Sequence, residues 1–368
     1  MRMIRHQIKN LIKAALGKPV TMPSLGSMTL GLDDVNIAKN LLKNRDCWRN
    51  GNVVSEYEKR FSQWNGSGFA FAFMSGRVAL SACLYALDLN EGDEVLLPGY
   101  TCVVVPNAIK YAGLKPVYVD IELDTYGLDA RKIERKITSE TKVIMLHHLY
   151  GLVCRDYEEI VAIAKKHNLK IIEDCAHSTG AEFKNKKVGN LGDLAFYSSE
   201  QSKILNTIQG GIAVTNSFYL ADRVREYKRK CVSPSDDLIY KQLSNVILNY
   251  YKYSDPARWW KGDVAEFIYG KRQIVSTTED EMLGIKPKYY GQKMPAAIAK
   301  IGINQLAKID EYNQQRRVTA KKWDEWCETT KYNKPLVDDH STRVYFRYPV
   351  WVEVSIKKDI SSAKTRMG

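Results

Sequence analysis

Several marks of specialised protein classes are missing from this 368-residue sequence. No two of its seven cysteines form a C-x-x-C pair, so nothing supports a zinc or redox motif, and we expect no metal site. No apolar run reaches the roughly 18 residues that a membrane-spanning helix needs. The odd number of cysteines and their apolar neighbours predict reduced thiols, and therefore a cytoplasmic protein.

A nucleic-acid-binding motif is also missing, although the sequence is basic. The net charge of +13 results from 55 basic and 42 acidic residues, and it would suit nucleic acid, an anionic membrane or a phosphorylated substrate. Because no helix-turn-helix, zinc-finger or RRM pattern is present, we expect no nucleic-acid partner. Residues 1–27 form a basic segment without an uninterrupted apolar core, which excludes a secretory signal and predicts a surface helix or a tail.

What the sequence does contain is a regular alternation of strands and helices from about residue 70. Near-continuous apolar runs predict buried strands, and helical stretches of about 10–13 residues separate several of them. This alternation indicates βαβ units and a mainly parallel sheet covered on both faces, that is, an α/β fold. The runs are GFAFAFMSG, EVLLP, PVYVDI, KVIMLHHLYG, KIIED, LAFY and IAVT.

The same pattern divides the chain into four segments. After the basic segment 1–27, residues 28–217 form a large domain that begins with a helix, a turn and a second helix. Residues 218–290 break the alternation and predict a helical insertion rich in aromatic and basic side chains. Residues 291–368 form a smaller α+β domain, with one long helix from Ala296 and a strand at RYPVWVEV, residues 347–354.

Within the insertion, residues 238–273 combine tryptophan and tyrosine with lysine and arginine. Such a mixture fits a lid over a nucleotide diphosphate, a dimer contact or a membrane contact. Acidic residues interrupt the basic face and no long amphipathic period is present. We therefore favour the lid or dimer-packing role and expect at most a weak membrane contact.

A candidate phosphate-binding turn follows the first of these strands. Ligands of parallel α/β sheets gather at the carboxyl ends of the strands. Ser75, Gly76 and Arg77 lie at such an end and begin a helix, whose free N–H groups suit a phosphate. Ser198, at the end of a later strand, offers a hydroxyl to the same group.

A carboxylate and a lysine complete the candidate site. Asp174 ends the strand KIIED, where it could cap a helix, bind a metal or face a ring nitrogen, and His177 follows three residues later. Lys203 lies in a polar loop before the turn at Gly210–Gly211. Each residue alone is more often structural or solvated. In this order, however, a phosphate cradle, an aspartate and a lysine suit pyridoxal phosphate, whose aldehyde bonds to the lysine and whose ring nitrogen faces the aspartate.

At these residues the sequence resembles the DegT/DnrJ/EryC1/StrS sugar aminotransferases, which have fold type I of the pyridoxal-phosphate enzymes. The resemblance is close over residues 28–216 and looser over 291–352. It rests on six blocks in family order, which are WRNGNVVSEYEKRFSQWNG, SGRVAL, GDEVLLPGYTCVVVPNAI, HHLYGL, IIEDCAHSTGAEFKNKKVGNLGDLAFYS and SKILNTIQGG.

The resemblance assigns roles to individual residues. Lys203 matches the lysine that bonds to the cofactor, and Asp174 matches the residue that faces the pyridine nitrogen. His177 stands near the cofactor's phenolic oxygen. The phosphate group is matched by Ser198 and by the helix start at Gly76 and Arg77, where many members have threonine instead of arginine. Cys102 falls where many members stack an aromatic ring on the cofactor, so either Tyr100 or another group takes that place or the stack is absent.

Two further features of the sequence depart from the family pattern. Many relatives carry an asparagine that reaches the phosphate of the partner subunit, and here Lys288, Tyr289 and Tyr290 stand in that loop. The sequence also ends at Gly368, where relatives begin the last helix and strand, so we expect an incomplete C-terminal domain.

The function implied is a pyridoxal-phosphate-dependent amino transfer, with glutamate as the expected donor, to a nucleotide-linked keto-sugar for surface polysaccharide or glycoconjugate synthesis. The resemblance also implies a homodimer. One alternative is a catalytically silent binding or scaffold protein that keeps the fold. Another is a sugar dehydratase of the same family, but those enzymes replace the lysine by histidine, and Lys203 argues against it.

Overall fold

A seven-stranded sheet forms the centre of the molecule. The computed structural model describes residues 29–351, with gaps at residue 50 and at 254–263, 266–267, 270–273, 275–276 and 337–338. The strands occur in the order β1-β9-β8-β5-β4-β2-β3. They are β1 (Phe69–Phe73), β2 (Glu94–Pro98), β3 (Lys115–Val119), β4 (Thr141–His147), β5 (Lys170–Asp174), β8 (Leu194–Ser198) and β9 (Gly211–Thr215).

The sheet is mainly parallel, as the apolar runs predicted. Strands β3, β2, β4, β5 and β8 pair in parallel, whereas β9 is antiparallel to both β8 and β1. Every residue of β2 and β9 is buried, in agreement with a sheet covered on both faces. A small sheet at one side contains β6 (Glu182–Phe183), β7 (Lys186–Lys187) and β10 (Ser341–Thr342).

Helices cover both faces of the large sheet and bury a hydrophobic cluster on each. Three helices cover one face, namely α3 (Gly76–Ala86), α4 (Val104–Tyr111) and α7 (Phe218–Lys230). The other face packs against α1 (Leu32–Lys43), α2 (Gly51–Asn65), α6 (Tyr157–Lys166), α8 (Asp236–Tyr253) and α10 (Ala296–Leu306). Further helices are α5 (Ala130–Ile133), α9 (Glu279–Met282) and α11 (Ile309–Thr330).

The long helix predicted from Ala296 is interrupted. It ends at Leu306, and α11 begins at Ile309. At the break, Lys308 Nζ bonds to Asp33 Oδ2 at 2.7 Å and to Asp34 Oδ2 at 2.8 Å, at the start of α1. The sequence pattern could not reveal this interruption, because neither glycine nor proline marks the position.

The prediction of a strand over residues 347–354 is wrong for residues 347–351, the part of it that the structure describes. Residues 347–350 form no strand, and Trp351 makes only an isolated bridge to Asn333. The predicted helical insertion contains α7, α8 and α9, but Trp259, Trp260 and much of 238–273 lie outside the described residues. None of the helices described is long and apolar enough to cross a membrane.

Candidate active site

A pocket opens at the carboxyl edge of the parallel strands, between β4, β5, β8 and the start of α3. Its wall contains seven of the eight residues singled out from the sequence, namely Gly76, Arg77, Cys102, Asp174, His177, Ser198 and Lys203. The eighth residue, Tyr100, does not line the pocket. Its ring is half exposed and its hydroxyl lies 2.5 Å from the hydroxyl of Tyr150. Cys102 therefore lines the pocket without an aromatic ring from Tyr100 beside it.

The start of α3 forms a close contact with the ends of β8 and β9. A Cβ atom on Gly76 would lie 2.9 Å from Ser198 Cβ, and one on Gly211 would lie 2.4 Å from Gly76 N. Glycine is required at both positions, because the Cβ atom of any other residue would lie too close to these neighbouring atoms. Ser75 Oγ caps the helix by accepting from the Val78 amide at 3.4 Å. This packing brings Ser198 Oγ beside the first-turn amides of α3, which is a suitable cradle for a phosphate.

The guanidinium of Arg77 forms a largely buried ion pair with Glu281 in the short helix α9. The two side chains are 15% and 3% exposed. The carbonyl oxygen of Arg77 also accepts from the Tyr290 hydroxyl at 3.3 Å. Because Glu281 compensates the charge of Arg77, the helix amides and Ser198 are better placed than this side chain to bind a phosphate. Tyr290, noted in place of the relatives' asparagine, is buried, whereas Tyr289 is exposed.

Asp174 is held at the end of β5 by two contacts. Its Oδ1 accepts from the Ala176 amide at 3.0 Å, and its Oδ2 lies 3.5 Å from His147 Nε2. The carboxylate is only 2% exposed, and it lines the pocket. Sequence reasoning missed His147, although it begins the quoted block HHLYGL. Its pairing with Asp174 across the parallel strands could not be read from one strand alone.

Lys203 reaches the pocket from the loop that joins β8 and β9. Burial lowers the pKa of its ammonium group, while the carboxylates of Glu200 and Asp174 oppose that shift. The Nζ atom lies 5.0 Å from the centre of the Phe346 ring. A lysine in such surroundings loses its proton more readily than one in water, as a nucleophile or general base requires.

Aromatic residues close one side of the pocket around His177. The His177 ring stacks on Phe346, with centroids 4.4 Å apart and planes at 26°. Its Nδ1 accepts from the Tyr150 amide at 3.4 Å. Burial and the nearby Lys203 lower the pKa of His177 well below its ordinary value, so the ring is neutral near pH 7. Phe346 lies 143 residues after Lys203 in the chain (346 − 203), and no local pattern in the sequence indicated it.

Beside the pocket, His148, Glu173 and Cys175 lie close enough together to suggest metal ligands. Glu173, however, accepts hydrogen bonds from His148 Nε2 at 3.1 Å and from the amides of Gly189, Leu191 and Gly192 at 2.7–2.8 Å. His148 Nδ1 in turn accepts from the Cys154 amide at 3.2 Å. Burial raises the pKa of the Cys175 thiol, which disfavours the thiolate that a metal needs. We assign this cluster to the hydrogen-bond network of the core.

The residues of the pocket fit pyridoxal phosphate. Ser198 and the start of α3 would hold the phosphate, Asp174 would face the ring nitrogen, and Lys203 would bond to the aldehyde. Pyridoxal-phosphate enzymes of fold type I characteristically carry such a lysine on a loop opposite a helix start, at the carboxyl edge of a mainly parallel sheet. The fold and the pocket therefore define this class.

Comparison with known proteins narrows the class to a family. The family model described as DegT/DnrJ/EryC1/StrS aminotransferase family matches residues 32–255, and the chain belongs to this family, whose members use pyridoxal phosphate.

Two curated relatives and one solved structure illustrate the similarity. The chain is 43% identical over 200 residues to a GDP-perosamine synthase of Escherichia coli O157:H7, a match that covers 54% of this chain and 53% of the relative. It is 34% identical over 304 residues to a dTDP-3-amino-3,6-dideoxy-alpha-D-galactopyranose transaminase of Aneurinibacillus thermoaerophilus. This match covers 82% of this chain and 70% of the relative. The fold matches aminotransferase TlmJ from Streptoalloteichus hindustanus with a TM-score of 0.73 at 21% identity, covering 94% of this chain and 83% of that one. The chain thus spans about half the length of the GDP-perosamine synthases that it matches.

Proposed function

We propose that this protein is a pyridoxal-phosphate-dependent aminotransferase that transfers an amino group from an amino acid, with glutamate as the expected donor, to a nucleotide-linked keto-sugar. The observation that carries the proposal is the presence of Lys203, Asp174 and a phosphate cradle in one pocket. The relatives named as a perosamine synthase and an aminosugar transaminase support the substrate class. The product would be an amino sugar for surface polysaccharide or glycoconjugate synthesis.

Four residues in or beside the pocket have defined tasks in this reaction. The cofactor, when bound, supplies an aldehyde for the amino group and a ring that withdraws electrons from the substrate. Asp174 holds a proton at the ring nitrogen and so maintains that withdrawal. Lys203 Nζ, in its neutral form, takes the proton from the α-carbon of the amino donor. Phe346 and His177 shield this amine from water, which keeps its pKa low.

A groove beside the pocket supports a nucleotide-linked substrate. Trp323, Tyr345 and Tyr348 form an aromatic stack along it, with ring centroids 5.6–5.9 Å apart and planes at 18–22°. Arg316 and Arg347 also line the groove, and none of the described residues that line it is acidic. Phe346 also lines the groove, and its ring centre lies 5.0 Å from Lys203 Nζ in the pocket. Aromatic rings suit a nucleobase and arginines suit a diphosphate, so a substrate in the groove would present its sugar to the pocket.

Removal of the Arg316 guanidinium should weaken binding of the nucleotide-linked substrate. Arg316 Nη1 lies 3.4–3.5 Å from two carbonyl oxygens of the groove, and burial lowers its pKa. Losing one charged contact of about 1.5 kcal/mol should raise the KM for the sugar nucleotide about tenfold in Arg316→Met. The KM for the amino donor should not change.

Arg317→Met provides the matched control, because Arg317 lies on the same helix and its guanidinium donates to Gln314 Oε1 rather than to the groove. The two variants are compared by steady-state kinetics, and thermal melting verifies that both are folded. An unchanged KM for the sugar nucleotide in a folded Arg316→Met protein would show that the substrate does not use this groove.

The proposed activity is tested with the purified protein loaded with pyridoxal phosphate. Glutamate and a panel of nucleotide-linked keto-sugars are supplied, and the release of 2-oxoglutarate is measured. Amino-sugar formation from at least one substrate is expected. A protein that binds the cofactor through Lys203 but transfers nitrogen to none of them would favour the binding or scaffold alternative. The dehydratase alternative has no support, since Lys203 occupies the position of the diagnostic histidine.

We also propose a homodimer. Four large apolar side chains are exposed at the end of α9 and in the segment that follows it, namely Met282, Leu283, Ile285 and Tyr289. Because Glu281 binds Arg77 at the start of α3, this apolar surface lies close to the phosphate cradle, and exposed apolar clusters of this kind often mark a protein contact. Light scattering at micromolar concentration should give the mass of two chains. The mass of one chain in a fully active sample would contradict the proposal.

The expected cytoplasmic location is likewise a proposal. It is supported by the cysteines, since all seven are free thiols and five of them are buried. Proteins of reducing compartments typically keep their thiols in this state.

A further inference from the structure

His147 is a buried histidine of the pocket wall for which the proposed reaction has no task so far. It ends β4 and pairs with Asp174, at the end of β5, in the parallel register. Its side chain is 4% exposed, and its Nε2 lies 3.5 Å from Asp174 Oδ2. Its Nδ1 has no hydrogen-bond partner among the residues that the structure describes. A core histidine with a purely structural role would normally have both nitrogens satisfied.

The charges around His147 determine its protonation. Asp174 faces it from β5, His148 adjoins it on β4, Lys203 faces it from the β8–β9 loop, and the His177 ring lies 6.1 Å away. Burial, His148 and Lys203 lower the pKa of His147, and only Asp174 raises it, so the imidazole is neutral near pH 7. A neutral imidazole carries one N–H. Placing it on Nε2 gives Asp174 a donor and leaves Nδ1 as an unpaired acceptor. The other tautomer is less favourable, because its Nε2 lone pair would face the carboxylate and its Nδ1–H would have no acceptor.

We propose, on the basis of the aminotransferase function above, that His147 is a positioning residue for Asp174. Its Nε2–H donates to Asp174 Oδ2, while the Ala176 amide donates to Oδ1. A small rotation of either side chain brings the 3.5 Å separation to hydrogen-bond length. Held by one donor on each oxygen, the carboxylate keeps one orientation toward the ring nitrogen of the cofactor. His147 thus acts on the cofactor through Asp174.

The experiment compares His147→Leu, His147→Gln and the control Met145→Leu in the cofactor-loaded protein. Met145 is buried on the same strand two residues earlier, so it reports the effect of altered packing alone. Two quantities are measured without turnover: the pH midpoint of the absorbance change of the lysine-bound cofactor, and the dissociation constant of the cofactor from the apoprotein. Both are measured again after combination with Asp174→Asn.

His147→Leu should shift the pH midpoint in the same direction as Asp174→Asn, by about half a pH unit or more, and weaken cofactor binding severalfold. His147→Gln retains an N–H donor and should recover part of the shift. In the double variant with Asp174→Asn, His147→Leu should add nothing, because its effect passes through the carboxylate. A loss of thermal stability with an unchanged midpoint, or an equal shift in the double variant, would overturn the proposal. Failure of the unsubstituted protein to bind the cofactor would instead overturn the proposed function.

Discussion

Lys203→Arg is expected to abolish amino transfer, with a fall in kcat of at least about 10⁴-fold. Arginine keeps the positive charge and much of the length of lysine. Its guanidinium, however, does not lose its proton in proteins, so it can neither bond to the cofactor aldehyde nor take the proton from the α-carbon. The pocket is adapted to the opposite behaviour, since burial lowers the pKa of Lys203. The effect therefore follows from the amine itself and not from a loss of charge.

The covalent link can be located directly. Borohydride reduction of the cofactor-loaded protein, followed by peptide mapping, should place the label on Lys203 and on no other lysine. Lys300→Arg, an exposed change on α10, is the control and should retain both label and activity. Label on another lysine in the unsubstituted protein would contradict the assignment.

Asp174→Asn should reduce kcat/KM by about 10³-fold, equivalent to about 4 kcal/mol in the transition state. The amide cannot hold a proton at the ring nitrogen, so the ring withdraws electrons less strongly. The substituted carboxylate is buried, since Asp174 is only 2% exposed. Folding should nevertheless survive, because asparagine has nearly the same shape and can still accept from the Ala176 amide.

For Asp174→Asn, thermal melting measures the effect on folding, and the absorption spectrum of the bound cofactor measures the effect on the ring. The melting temperature should change little, whereas the spectrum and the rate should change strongly. Asp222→Asn, which alters an exposed carboxylate on α7, serves as the control. Full activity of a folded Asp174→Asn protein would assign Asp174 a role other than holding the ring-nitrogen proton.

The strands of the large sheet could be predicted because their signal is local. Each is a short apolar run, and burial of both sheet faces is what makes such a run continuous. The same holds for residues at strand ends. Ser198, Asp174 and the Gly76 turn follow apolar runs, and parallel strands bring these ends to one edge of the sheet.

What the sequence could not reveal depends on contacts between distant segments. The ion pair of Arg77 joins it to Glu281, 204 residues away, and this pairing changes the expected role of the arginine. Phe346 covers Lys203 from the far end of the chain. His147 pairs with Asp174 only because β4 and β5 are neighbours in register. None of these contacts leaves a periodic or local trace in the sequence.

The single antiparallel strand of the large sheet has a consequence for the order in which the site is assembled. Because β9 returns directly beside β8, Lys203 lies near the tip of a hairpin. Backbone hydrogen bonds join its two arms at Ser199–Gly210 and Gln201–Ile208, both 2.9 Å long, and the hydroxyls of Ser199 and Thr207 lie 2.7 Å apart. Closing so short a loop requires little chain entropy. In the proposed reaction, the arriving cofactor would therefore meet an amine that is already in place, and its binding energy would be available for the reaction rather than for ordering the loop.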